Sequence, residues 1–146
     1  MKPRNEIRVV AAVIERADRQ VLICQRKSTD RHALKWEFPG GKVEPDEEPR
    51  EALRRELQEE LDINAEIGEE IGRYEFQYSG RTPILLIFFR VTVFTGELRN
   101  RIFEQMVWES PAKLPSYDFL DGDVDFVRRL ARGHARGNAR SAANGA

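Results

Sequence analysis

Glu47-Glu48-Pro49-Arg50-Glu51-Ala52-Leu53-Arg54-Arg55-Glu56-Leu57-Gln58-Glu59-Glu60-Leu61 is the most informative run in this chain. Leu53, Leu57 and Leu61 recur every four residues with Ala52 beside them, which is the apolar stripe of an amphipathic helix. Asp46 is placed to cap it, and Pro49 fits its first turn. With Glu56 at the origin of a helical wheel, Glu60 falls at about +40° and Glu59 at about -60°, while the leucines lie between about +60° and +140°. The three carboxylates therefore share one face. Like charges within one turn repel, and a divalent cation removes that repulsion; carboxylate oxygens are the hard ligands Mg²⁺ prefers. On residue type alone, the competing reading is a solvated acidic face.

Working outward, Pro39-Gly40-Gly41 stops any regular element before the helix. Arg8 to Ile14 and Gln20 to Gln25 are rich in branched residues and predict a hairpin with Arg16-Ala17-Asp18-Arg19 as its turn. Lys27 to Lys35 is polar and reads as a loop. Beyond the helix, Ala65 to Tyr78 alternates in part, and Ile84-Leu85-Leu86-Ile87-Phe88-Phe89 is too branched and aromatic for a helix, so paired strands with the second central are expected around Ser79-Gly80-Arg81. Met106-Val107-Trp108 suggests a short strand, Pro111 to Tyr117 a loop, and Asp121 to Ala131 a closing helix.

The 146 residues and 40% hydrophobic content suit one domain over 1–132, followed by a small, polar and basic tail, 133–146, expected to be disordered. Lys plus Arg total 24 against 25 for Asp plus Glu, so a net charge of -1 provides no general attraction for nucleic acid or an anionic membrane. Arg132, Arg136 and Arg140 in the tail are too few to neutralise many phosphates and read as solvated. The single cysteine, Cys24, lies in the apolar run Val21-Leu22-Ile23-Cys24 and reads as core; with no disulfide partner and no apolar leader in Met1 to Arg8, the expected location is cytoplasmic.

Order overturns the solvated-face reading. Gly41, Glu47 after five residues, then after seven more Arg55-Glu56-Leu57-Gln58-Glu59-Glu60-Leu61-Asp62-Ile63 closely resemble the Nudix box, G-x5-E-x7-R-E-U-x-E-E-x-G-U, with six of seven fixed letters matched. The resemblance implies an α/β fold in which a mixed β-sheet is sandwiched between helices (α/β/α). It also implies a loop-helix-loop whose Glu56, Glu59 and Glu60, with the Gly40 carbonyl, hold Mg²⁺ (or Mn²⁺ in its place) against a diphosphate. Arg55 would pair with Glu47 to hold the loop. The departure is Asp62, where the family has a glycine that ends the helix in a left-handed conformation; aspartate tolerates that region at about 1 kcal/mol.

Gln25-Arg26, Lys35-Trp36-Glu37-Phe38-Pro39-Gly40-Gly41-Lys42 and Arg73-Tyr74-Glu75-Phe76 extend the likeness, over roughly residues 8–130, to the MutT-like branch. This implies hydrolysis of a nucleoside triphosphate to monophosphate and diphosphate. Arg26 would contact the nucleotide, with Arg31 and His32 as weaker candidates and Glu37, Phe38, Pro39 and Gly40 around it. Trp36 is either core or a base-stacking ring. Asp118, after Pro115, matches the family's base-reading position, and Glu104, upstream of Trp108, matches an acid used as extra metal ligand or base. Glu56 or Glu104 would accept the proton of the attacking water. An oxidised nucleotide, 8-oxo-dGTP, is the first expected substrate and CTP the second. Hydrolysis of ADP-ribose ranks third, and a non-catalytic nucleotide sensor is the alternative of another class. The expected partner is a small nucleotide, for a monomer or homodimer that binds neither nucleic acid nor membrane.

Overall fold

The structure, a computed structural model, describes residues 6–133. The strands are β1 (Ile7–Ile14), β2 (Val21–Gln25), β3 (Trp36–Glu37), β4 (Gly40–Lys42), β5 (Asn64–Glu66), β6 (Glu70–Phe76), β7 (Ile84–Val91), β8 (Val93–Thr95) and β9 (Gln105–Glu109). Helix α1 is Pro49–Leu61, and α2 covers 124–133 after a short 3-10 turn, Asp121–Asp123. The proposed tail lies outside the described residues except for Gly133, which continues α2.

The main sheet has the order β4-β1-β7-β6, with β1 and β7 parallel and the outer pairs antiparallel. It is mixed because β1 and β7 are joined by a long excursion that includes α1, as parallel neighbours require. Strand alternation divides the interior into two cores. Val10, Ala12, Ile14, Ile87, Phe89 and Val91 face Leu53, Leu57 and Leu61 of α1, whereas Ala11, Val13, Leu86 and Phe88 face Phe126 and Val127 of α2. Phe88 and Phe126 stack with ring centroids 3.9 Å apart. Each of the three α1 leucines is fully buried, which stabilises by about 1.5–3 kcal/mol per side chain.

The expected hairpin is corrected. Arg16 donates its N–H to the Gln20 carbonyl and Glu15 bridges Val21, but β1 and β2 then part into different sheets, β2 pairing with β3 and β9. Both strands are apolar on two faces and so require a partner layer on each side, which one hairpin does not supply. The helix cap also differs: Glu48 is the N-cap residue without a side-chain cap bond, and Asp46 sits in a left-handed turn with φ of 69°. Pro111–Ser116 is a 3-10 helix rather than open loop. Trp36 is core, 8% exposed, with its ring edge-on to Tyr117. Cys24 is buried, and burial pushes its thiol well above the usual range.

α1 ends as its sequence predicts, with Asp62 at φ 60° and ψ 35°. That left-handed aspartate is held by Gln58 Nε2 at 3.1 Å and by Arg101 at 3.2 Å, with Arg99 at 3.7 Å. The Arg99 and Arg101 N–H groups donate to the Leu61 and Glu60 carbonyls, so segment 99–101 satisfies the open end of the helix.

Candidate active site

A cavity of about 760 Å³ opens between the edge of the main sheet and the loops before and after it. β4 brings Gly40 and Gly41 to one end, and α1 brings Glu60 behind them. Gly40 has φ of 156°, and a methyl group there would meet the Val10 carbonyl oxygen at 2.0 Å. At Gly41 a methyl group would lie 2.4 Å from the carboxyl carbon of Glu56. Gly40 thus allows two backbone segments to approach each other, and Gly41 allows backbone and carboxylate to do so.

Glu60 is 8% exposed and accepts a hydrogen bond from the Gly40 N–H at 3.2 Å. Burial, then the charge of Glu56 and a hydrogen bond with it, push Glu60 up to about 9. Two adjoining carboxylates of which one is buried must hold either a proton or a cation, and hard oxygen donors fit Mg²⁺. Glu59 stands on the solvent side of this pair: its carboxylate is 58% exposed and lies 3.5 Å from the same Arg55 nitrogen that bonds Glu56. Among the described residues no three acidic, histidine or cysteine side chains form a ready metal cage.

Arg55 organises the loop. Its Nε and a terminal nitrogen donate to the two Glu47 oxygens at 2.9 and 3.0 Å, and its other nitrogen donates to Glu56 at 3.0 Å. A further bond reaches the Lys42 carbonyl at 3.1 Å. This bidentate fork holds Glu47 well below the usual carboxylate range, at about 2.

Around the rest of the cavity, Arg26 Nη1 lies 3.2 Å from both Glu37 oxygens while its Nε donates to the Arg31 carbonyl at 2.8 Å. Burial raises Glu37 to about 7 against the opposing pull of Arg26. Arg31, His32 and Phe38 also line the cavity, whereas Pro39 is buried and its carbonyl accepts the Ala12 N–H. Asp118 and Glu104 are not brought in. Asp118 is exposed and paired with Lys35 at 2.8 Å. Glu104 is exposed, its N–H donates to the Gln25 carbonyl, and its carboxylate has no partner among the described residues.

Besides Glu37 and Glu60, the acids that line the cavity are Asp30, Asp121 and Asp123; of these three only Asp123 is buried, 5% exposed and pushed up to about 8 by burial and then by the charge of Glu37. Sequence reasoning passed over it because Asp121-Gly122-Asp123 reads as the polar start of a helix. Its clue was position: an acid directly before the apolar Val124, Phe126 and Val127 of a helix that must face the sheet. Tyr78 and Arg81, from the turn between β6 and β7, also line the cavity and were likewise missed.

A sheet between two helices, with a paired-carboxylate helix behind two glycines at the end of a cleft, describes a Nudix-type site. Residues 5–130 match the NUDIX domain, and the chain belongs to the Nudix family of hydrolases. It is similar to the CTP pyrophosphohydrolase of Escherichia coli (strain K12), 44% identical over 121 residues that cover 83% of this chain and 88% of the relative. The Putative 8-oxo-dGTP diphosphatase 2 of Mycobacterium tuberculosis is 34% identical over 128 residues, 88% of this chain and 89% of the relative. Among solved structures, the E. coli ORF135 protein superposes with a TM-score of 0.76 at 40% identity, covering 85% of this chain and 87% of that one. The MutT protein from Methanosarcina mazei Go1 gives 0.79 at 26% identity, covering 92% and 99%.

Proposed function

We propose that this enzyme is a Mg²⁺-dependent nucleoside triphosphate pyrophosphohydrolase that converts CTP, or a modified cytidine triphosphate, and water to the monophosphate and diphosphate. The observation that carries the reading is the cavity's division of labour: the Glu56–Glu60 pair behind Gly40-Gly41 at one end, and the buried acid Asp123 in its wall. Asp123, protonated at neutral pH, offers one O–H donor and one acceptor, which complement the N3 acceptor and N4 amino donor of cytosine. The same pair can meet the acceptor and donor of an 8-oxo-guanine edge. The 44% identical relative named for CTP sets the order, and the 34% identical relative keeps 8-oxo-dGTP as the second reading.

Glu56, Glu60 and Glu59, with the Gly40 carbonyl, would hold Mg²⁺, which when bound neutralises charge developing on the diphosphate oxygens. Arg55 keeps Glu56 oriented through the rigid fork it shares with Glu47. Glu56 accepts the proton of the attacking water; its place beside Glu60 supports it over Glu104, whose carboxylate stands in solvent. Glu56→Gln should lower kcat by about 10²- to 10⁴-fold, the usual contribution of general base catalysis, and Glu104→Gln should leave it near the wild-type value. The reverse pattern would reassign the base.

The deciding assay is a panel of nucleoside triphosphates with Mg²⁺, scored for monophosphate and diphosphate. CTP should exceed ATP and GTP in kcat/KM by at least about tenfold; because adenine and guanine edges also offer an adjacent acceptor and donor, this order rests on the 44% identical relative named for CTP and not on Asp123 alone. Preference for 8-oxo-dGTP would select the second reading, and release of single phosphate, or no product from any nucleotide, would reject both.

A further inference from the structure

Three chain segments meet at the mouth of the cavity: the loop 26–35, the turn 77–83 and the approach to α2 at 118–123. Tyr78 touches both of the other two. Its ring lies against His32 with centroids 4.8 Å apart, and its hydroxyl accepts the Gly122 N–H at 3.1 Å. Phe76 supports the ring edge-on at 4.7 Å.

Neither contact is incidental to the local packing. Gly122 is buried, and a methyl group on it would stand 3.2 Å from Leu86 and 3.4 Å from both Phe76 and the Tyr78 oxygen. Glycine lets this backbone settle onto the phenol, and without the phenol its N–H would be a buried donor with no acceptor. On the other side, His32 has φ of 59° and Leu34 φ of 63°, conformations that non-glycine residues seldom adopt. Arg26 holds the Arg31 carbonyl of this loop at 2.8 Å, but the His32 ring itself is exposed to solvent on one side and meets Tyr78 on the other. The next residue after Gly122 is Asp123, so whatever fixes Gly122 fixes the acid in the cavity wall.

We propose that Tyr78 is a positioning residue for the base-binding part of the cavity: its hydroxyl anchors Gly122, and through it Asp123, while its ring and that of His32 close the mouth as a two-ring clasp. The proposal rests on the nucleotide reading given above. The clasp acts on the nucleobase and not on the diphosphate, whose carboxylates lie on α1. Its loss should therefore appear in KM and in base discrimination, not in kcat.

The test uses the full chain and two variants, Tyr78→Phe, which keeps the ring and removes the hydroxyl, and His32→Ala, which removes an exposed ring and leaves both cores intact. Binding of CMP is measured calorimetrically, and kcat and KM are measured for CTP and GTP with Mg²⁺. Tyr78→Phe should weaken CMP binding and raise KM for CTP about 5- to 10-fold, the equivalent of one hydrogen bond, with kcat within about twofold and the CTP-over-GTP preference reduced. His32→Ala should raise KM by a smaller factor of about two to three, with kcat unchanged. Unaltered CMP affinity in both variants, or a loss of kcat at constant KM, overturns the proposal. If the wild-type protein binds CMP but hydrolyses no triphosphate, the enzymatic reading fails and the CMP arm alone decides the clasp. If it binds no nucleoside monophosphate, the clasp proposal fails with it.

Discussion

A single methyl group at Gly41 would lie 2.4 Å from the Glu56 carboxyl carbon. Because the far end of a glutamate can swing aside, Gly41→Ala should leave the protein folded while displacing that carboxylate; a misplacement of about 1 Å near the chemistry lowers turnover by roughly 10²-fold. A variant with normal kcat would mean that Glu56 does not act where this structure places it. At Asp62 two small effects oppose each other. Asp62→Gly relieves about 1 kcal/mol of left-handed strain and removes surface pairs with Arg99 and Arg101 that contribute about 0–1 kcal/mol each. Chemical denaturation should therefore show a change within about 1 kcal/mol. A loss above about 2 kcal/mol would mean that the arginine cluster, not the cap conformation, governs this corner.

At the scale of elements, α1 has two tasks on two faces. Leu53, Leu57 and Leu61 dock it on the sheet, and the docking angle sets where Glu56 and Glu60 meet Gly40 and Gly41. Leu57→Ala should destabilise by about 2–5 kcal/mol, the range for truncating a fully buried leucine, readable as a lowered denaturation midpoint. The helix and its carboxylates were legible in the sequence because periodicity and spacing are local properties. The pairing of β1 was not: its apolar residues Val9 to Ile14 fit a hairpin as well as a central strand. Only the need to cover both faces sends β1 to β7 and β2 to β9.

Across the whole molecule, raised and lowered carboxylates predict the pH profile of stability. Glu60, Asp123 and Glu37 have folded values pushed up to about 9, 8 and 7, so the folded protein holds these protons more tightly than the unfolded chain, and stability falls as pH rises from the ordinary carboxylate range through those values. Glu47 acts oppositely. Its value, lowered to about 2, contributes stability at higher pH that is lost as pH falls from the ordinary range toward 2. The metal-free melting temperature should peak near about pH 5, where both effects are satisfied. Added Mg²⁺ should raise it more at pH 9 than at pH 6, because a cation that replaces a proton on Glu60 binds better when the proton is scarce. Calorimetry showing a flat profile from pH 5 to 9, with no Mg²⁺ effect, would contradict the buried-acid arrangement.

Local order was enough to establish the carboxylate helix, the glycine turn before it, the Arg55 and Glu47 positions and the family, because each depends on residues close together along the chain. The buried acid in the cavity wall was beyond its reach. Asp118 and Asp123 are five positions apart on similar polar turns, and the one local clue, the apolar Val124, Phe126 and Val127 after Asp123, marks a packing face without fixing which way the acid turns. Folding makes that choice, since α2 must lay Phe126 and Val127 on the sheet, and this rotates Asp123 inward while Asp118 stays in solvent with Lys35. The clasp of Tyr78 with His32 and Gly122 likewise exists only because three segments distant in sequence converge on one opening.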